Sequence, residues 1–363
     1  MTDVTHSNSA IRVLVADDSA FMRTALSRMI ASEAGLEVAA TARSGSDALQ
    51  KIASTDPDVV TLDLEMPGLD GIETLREIMK RFPRPVIVVS AAIEKDSEIA
   101  FNALSAGAFD YIPKQISDTS LEISHIRSDL IVKIRSAGSH RRTLPHSTPN
   151  KKPVESTSIA TCRQTPVAPE IVAIGASTGG PRALQELLPQ LPGNLSVPIL
   201  IVQHMPVGFT AMFAKRLDRL CSISVREARD RERLQPGVAY IAPAGIHMLV
   251  KQPSHDSQTF ISLESSYCDT PYVPSVDVLM KSVADVYGSR AAGVIMTGMG
   301  SDGAEGLKAI HDSGGLTIGQ DKASCVVYGM PRVCARLGIL TSVLPLSQIA
   351  TELIQATAHQ RRA

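Results

Sequence analysis

The sequence predicts an α/β protein made of two doubly wound parallel-sheet domains joined by a linker, the first flavodoxin-like and the second Rossmann-like with added antiparallel strands. Three observations carry that prediction. The chain's 363 residues exceed what one hydrophobic core usually organises, about 250–300 residues. In both halves short apolar runs alternate with stretches of helical apolar spacing, the pattern of βα units. Between the halves, residues 138–168 turn to Ser, Thr, Pro and basic side chains without apolar periodicity, which reads as a linker. The domains are accordingly expected at 1–137 and 169–363.

In the first domain IRVLVAD, LEVAATA, VVTLDL, PVIVVSA and FDYIP read as strands. FMRTALSRMIAS, GSDALQKIAS, GIETLREIMKRF and SEIAFNALSAG read as the helices between them, and SLEISHIRSDLIVKIRSA as a last helix. In the second domain IVAIGAS, PILIVQH, ISVREA, VAYIAPA, HMLVKQ, TFISLES, AGVIMTG and LTIGQD read as strands. Helices are expected at ALQELLPQL, FTAMFAKRLDRL, SVDVLMKSVADVYG and GAEGLKAIHDSG. The run VAYIAPA, HMLVKQ, TFISLES has no helix between its members and suggests antiparallel strands added to the core.

Composition excludes several classes. Residues 1–114 hold 11 basic against 17 acidic side chains, residues 115–169 hold 8 against 4, and residues 170–363 hold 17 against 16. Neither domain is basic, so no nucleic-acid partner is expected. The five cysteines are odd in number and form no CxxC pair, which fits reduced thiols and no zinc site. The N-terminus lacks a basic n-region and long apolar stretch, and no run approaches roughly 18 apolar residues, so no membrane insertion and a cytoplasmic location are expected.

Asp17 and Asp18 end the first strand and Asp63 ends the third. In flavodoxin-like order these strands are neighbours, and their C-terminal ends meet in one crevice. Crowded carboxylates are unfavourable unless a cation neutralises them, and hard oxygen ligands suit Mg²⁺. Each Asp alone also fits a turn or helix N-cap. Ser90 ends strand four and Lys114 ends strand five, adding a hydroxyl and an ammonium to the same crevice. ADDS, LDLEMPGLDG, VVSA and YIPK together resemble the receiver domain of two-component response regulators. The resemblance implies Asp63 as phosphoacceptor, Asp17, Asp18, Asp63 and the Glu65 carbonyl as Mg²⁺ ligands, and Ser90, Tyr111 and Lys114 as residues that report phosphorylation. Gln115 stands where receivers usually carry proline.

In the second domain IGASTGGP lies between a strand and a helix. It lacks the GxGxxG and GxxxxGK[ST] spacings of phosphate cradles but matches GxSxG through Gly175, Ser177 and Gly179. That pentapeptide alone suits an anion-binding turn as well as a nucleophile. Of His204, His247, His255, His311 and His359, only His204 ends the next strand, on the sheet edge of Ser177. Asp302, in TGMGSDGAEG, follows a third strand at that edge and could orient an imidazole; by itself it equally reads as the N-cap of GAEGLKAI.

GASTGGP, QHMPVGFT, YIAPAGIHM, VPSVDVLMKSVA, GVIMTGMGSDGAEG and QDKASCVVYGMPR are similar to the catalytic domain of chemotaxis response-regulator protein-glutamate methylesterases. The resemblance implies Ser177 as nucleophile, His204 as general base, Asp302 as its orienter and the Met299 backbone amide at the oxyanion. It implies a phosphorylation-activated hydrolase of glutamate methyl esters that also deamidates glutamine, acting on methyl-accepting chemoreceptors. A chemotaxis histidine kinase would be the phosphodonor, and no cofactor is expected in the catalytic domain. The receiver is expected to occlude the catalytic cleft until phosphorylated. The alternatives are a receiver-regulated docking protein without catalysis and a receiver-bearing transcription factor, the latter opposed by the near-neutral second domain.

Overall fold

A computed structural model describes residues 10–90, 99, 102–114, 120–143, 167–253, 258–266 and 270–358. The chain divides into two compact units, Met1–Asn150 and Lys151–Ala363.

The first unit carries a five-stranded parallel sheet of order β2-β1-β3-β4-β5, with β1 Ile11–Ala16, β2 Leu36–Ala42, β3 Val59–Asp63, β4 Val86–Ser90 and β5 Asp110–Pro113. This is the flavodoxin-like order, with β1 and β3 adjacent at the switch point. β3 is buried along its whole length, as expected of a strand covered on both faces. Capping side chains start the helices where turn residues precede apolar periodicity. Ser19 accepts from Met22 N ahead of the helix Ala20–Ala31, and Asp70 accepts from Glu73 N ahead of the helix Gly71–Arg81. Of the expected helix at SEIAFNALSAG, residue 99 and residues 102–105 are described and are helical.

The expected start of the linker is corrected. The helix Ser120–Thr143 continues beyond Gly138, where composition alone begins the linker. Gly138 is a close-packing residue: a Cβ there would come within 2.7 Å of the Ile11 side chain. The glycine lets the helix lie on β1 instead of ending it. Residues 144–166 lie outside the described residues.

The second unit carries a seven-stranded sheet of order β14-β13-β12-β6-β7-β9-β8, in which every neighbouring pair is parallel. Its strands are β6 Ile171–Ala176, β7 Ile199–Gln203, β8 Ser224–Glu227, β9 Val238–Ile241, β12 Ala291–Ile295, β13 Leu316–Gln320 and β14 Ser342–Leu344. β10 His247–Lys251 and β11 Phe260–Glu264 form a separate antiparallel pair. VAYIAPA therefore departs from its expected antiparallel role, since β9 lies parallel between β7 and β8. The residues linking β8 to β9 return the chain without a helix, so missing helical periodicity did not report strand direction. Fully buried β6, β7 and β12 form the centre, and the chain reverses its direction of travel across the sheet at β6, which puts a crevice beyond the C-terminal ends of these three strands. Cys221, Cys325 and Cys334 are free thiols; Cys162 and Cys268 lie outside the described residues. No described helix is long and apolar enough to cross a membrane.

Candidate functional sites

The crevice of the second unit gathers Ser177, His204 and Asp302 from the ends of β6, β7 and the loop after β12. Ser177 begins the turn into the helix Gly180–Leu187, whose cap Gly179 has φ +78°, a conformation open to glycine and costly for other residues. The Ser177 amide donates to the Thr297 carbonyl at 3.1 Å, and the Ser177 carbonyl accepts from Gly180 N at 2.8 Å and from Gln203 Nε2 at 2.9 Å. Gln203 Nε2 also donates to the His204 carbonyl at 3.0 Å, so one buried amide ties the Ser177 and His204 turns together. Gly298 lies against Ser177, where a Cβ would come within 2.9 Å of the Ser177 Cβ, and thereby sets the Met299 segment beside the hydroxyl-bearing turn.

His204 Nε2 lies 2.8 Å from Asp302 Oδ2. A carboxylate there accepts the Nε2 proton, which leaves Nδ1 as the nitrogen with the lone pair. Nδ1 is buried and has no hydrogen-bond partner among the described residues, so it holds no bond to Ser177 in this structure. The Tyr272 ring stacks on the imidazole, centroids 4.8 Å apart and planes 3° from parallel.

Asp302 is 4% exposed and fully engaged. Oδ1 accepts from Ser275 Oγ at 2.7 Å and from Asp277 N at 3.1 Å; Oδ2 accepts from Val276 N at 2.7 Å as well as from His204. Burial pushes its pKa up, but the His204 contact and these amides outweigh burial and hold it below the usual carboxylate range. The donors belong to the N-terminus of the helix Val276–Tyr287, whose N-cap is Ser275. Asp302 therefore plugs the positive end of a neighbouring helix. It is not the cap of its own helix, Ala304–Asp312, where Gly303 holds that position without a side-chain bond. His247, buried at the start of β10, accepts at Nδ1 from Ser275 N at 3.3 Å. His311 is exposed, and His255 and His359 lie outside the described residues.

The first unit brings Asp17, Asp18 and Asp63 together, with one carboxylate oxygen from each lying within 4.8 Å of the others. Asp17 and Asp63 are buried and Asp18 is exposed. The Lys114 ammonium lies 2.9 Å from Asp17 Oδ2 and 2.6 Å from Asp63 Oδ2. Burial pushes the Asp63 pKa up; Lys114 pulls it down and Asp17 pushes it up again, and the net direction is upward. Burial favours neutral Lys114, yet the two carboxylates prevail and raise its pKa. Glu65 N donates to Asp63 Oδ1 at 3.2 Å, which sets the Glu65 backbone at the rim. This donor set fits a hard divalent cation: three clustered carboxylates with one face open at Asp18.

Tyr111 is 3% exposed on β5; Lys133 Nζ donates to its carbonyl at 2.6 Å and lies 5.5 Å from its ring centroid. Ser90 ends β4, with its backbone paired to Pro113. Its side chain, like Gln115, falls outside what is described. Tyr272, Ser275 and Gln203 were not expected from sequence, and His247, weighed there only as a candidate base, instead supports the Ser275 backbone. Only VPSVDVLMKSVA offered a signal, because its serine precedes a helix of strong periodicity in the manner of an N-cap.

Residues 172–353 match a family model described as CheB methylesterase, and residues 13–124 match one described as response regulator receiver domain. A protein of Nitratidesulfovibrio vulgaris named protein-glutamate methylesterase/protein-glutamine glutaminase 2 is 45% identical over 95% of this chain and 98% of its own. A Symbiobacterium thermophilum protein named protein-glutamate methylesterase/protein-glutamine glutaminase is 42% identical over 96% of this chain and 98% of its own. The crystal structure of the CheB methylesterase catalytic domain of Thermotoga maritima is 42% identical, with a TM-score of 0.50, and covers 52% of this chain and 99% of that one.

Proposed function

The chain belongs to the CheB methylesterase family, with a response regulator receiver domain ahead of the esterase domain, and from that premise we propose how its residues divide the work. The protein is a protein-glutamate methylesterase and protein-glutamine glutaminase of chemotaxis, regulated through its receiver. Ser177 Oγ attacks the carbonyl carbon of a glutamate side-chain methyl ester while His204 Nδ1 takes the hydroxyl proton. The tetrahedral oxyanion is met by the Met299 amide. Collapse breaks the bond to the methoxy oxygen, which takes the proton from His204 and leaves as methanol. Water, deprotonated by the same nitrogen, then cleaves the acyl-enzyme, releasing the glutamate carboxylate and restoring Ser177. With glutamine the leaving group is ammonia.

The observation that carries this reading is the hydrogen bond between His204 Nε2 and Asp302 at 2.8 Å, which leaves Nδ1 as a buried base without a partner. The reading requires the Ser177 hydroxyl to come within hydrogen-bond reach of Nδ1 in the substrate complex, a tightening common between free and substrate-bound enzymes. Asp302 stays ionised and steadies the imidazolium. A docking protein without catalysis could use Asp302 as a plug for the helix Val276–Tyr287, but would gain nothing from a buried Nδ1 left without a hydrogen-bond partner.

In the receiver, Asp63 is the phosphoacceptor: its carboxylate oxygen attacks phosphorus of a phosphohistidine on a chemotaxis histidine kinase, and as the O–P bond forms the P–N bond breaks and the kinase imidazole leaves. Asp17, Asp18, Asp63 and the Glu65 carbonyl would hold Mg²⁺, which supplies charge neutralisation for the phosphoryl oxygens. Lys114 contributes a second positive charge, and Ser90 and Tyr111 respond to the new charge. The substrates are methyl-accepting chemoreceptors.

Ser177→Ala tests the core of the proposal. With methyl-labelled receptor membranes, methanol release is expected to fall by at least about 10³-fold while the fold is kept. Turnover at the parent rate would overturn the assignment.

A further inference from the structure

We propose that Tyr272 is a positioning residue for the general base, one that locks the plane of the His204 imidazole; the inference rests on the reading of His204 given above. The bond from Nε2 to Asp302 fixes one corner of the ring. A single hydrogen bond leaves the ring free to roll about its Cβ–Cγ bond, and any roll displaces Nδ1, the nitrogen that must meet the nucleophile. The phenol ring of Tyr272, 4.8 Å away and 3° from parallel, blocks that motion on one face. The stack also favours the charged imidazolium that forms during turnover, because an aromatic face attracts a cation.

The other end of Tyr272 bears on the neighbouring loop. A Cβ on Gly300 would come within 2.9 Å of the Tyr272 hydroxyl oxygen, so the glycine after Met299 is what admits the phenol. One side chain thus spans the base and the segment that carries the Met299 amide. Its own loop is anchored, since the Val273 carbonyl accepts from Gly245 N at 3.2 Å. The loop runs directly into Ser275, Val276 and Asp277, the donors that hold Asp302. A single short segment therefore sets both partners of the imidazole: the carboxylate at its edge and the ring over its face.

The test uses the full chain with a small phosphodonor and Mg²⁺, and compares the parent with Tyr272→Phe, Tyr272→Leu and Ser177→Ala. Tyr272→Phe keeps the planar face and is expected to hold kcat within about threefold of the parent, whereas Tyr272→Leu is expected to lose about tenfold to a hundredfold in kcat with KM little changed. Tyr272→Met, which fills similar space without a planar face, substitutes for the leucine variant if thermal melting shows that variant unfolded. Parent-like kcat in the non-aromatic variant, equal losses in Phe and Leu, or a loss carried by KM would each overturn the inference. Activity in Ser177→Ala would instead overturn the underlying reading, whatever the Tyr272 variants do.

Discussion

Asp63 and Asp302 occupy equivalent places in their respective units. Each is a buried carboxylate at the C-terminal edge of a parallel sheet, Asp63 as the last residue of β3 and Asp302 in the loop after β12, yet their surroundings shift them in opposite directions. Asp302 is held by a hydroxyl, two helix amides and an imidazole, and its proton affinity is lowered. Asp63 shares one lysine with Asp17, and its proton affinity is raised despite that lysine. A fully satisfied carboxylate is suited to stay ionised and take no bond. An under-neutralised one has something to gain from a cation, and its oxygen remains available to form a bond. On the proposed reading, the same residue type at the same edge of two similar sheets serves orientation in one unit and covalent chemistry in the other, and the donors around it are what differ.

The largest effect should come from removing the charge of the satisfied member. Asp302→Asn presents one carbonyl oxygen and one NH₂ group where four donors converge, so at least one donor meets another. The favoured imidazole tautomer then moves its proton to Nδ1, the nitrogen that must accept from Ser177. By the precedent of Ser-His-Asp triads, kcat for ester hydrolysis should fall by about 10⁴-fold. A steady-state assay on methylated receptor gives the number, and a fall below about tenfold would show that the carboxylate is a structural plug only. The matching change in the other unit, Asp63→Asn, removes the nucleophile for phosphoryl transfer. The ratio of esterase rates with and without phosphodonor should drop to about one, and a surviving ratio would place phosphorylation elsewhere.

The parts of this comparison readable from the chain were those fixed by topology. Ser177, His204, Asp302, Asp17 and Asp63 each stand where an apolar run ends, and in a parallel sheet those ends share one edge, so local patterns suffice to bring them together. The donors that tell the two carboxylates apart were not readable. Ser275, Val276 and Asp277 reach Asp302 across about 25 residues of chain, and periodicity does not say which loop a helix N-terminus will face. Asp302 shows this sharply: SDGAEG has the composition of a cap, but Gly303 ends up as the cap and the carboxylate serves the helix next door. Tyr272 was equally silent, because an aromatic residue in a loop acquires its meaning only from the ring it lands on. Strand direction failed for the same reason at β9, whose residues are all buried and read the same in either sense.

The smallest expected effect concerns the layer behind Asp302. His247 accepts the Ser275 N–H and pairs in register with Glu264 across β10 and β11. Burial pushes its pKa below the ordinary histidine value, while Asp302 and Glu264 pull the other way without prevailing. A lowered folded pKa means that the unfolded chain takes up the proton first as pH falls. The stabilisation from neutral His247 is therefore complete above about pH 6.5 and drains away as pH drops through the folded pKa. Thermal melts of the parent from pH 7.5 to 5 should show the transition of the esterase unit moving downward, by about 2–4 °C for each kcal/mol lost. His247→Gln keeps an acceptor that cannot charge in this range, so its melting temperature should vary less with pH even if its level is lower. An equal slope in both proteins would mean that another group titrates there and that the carboxylate's supporting layer is indifferent to protons.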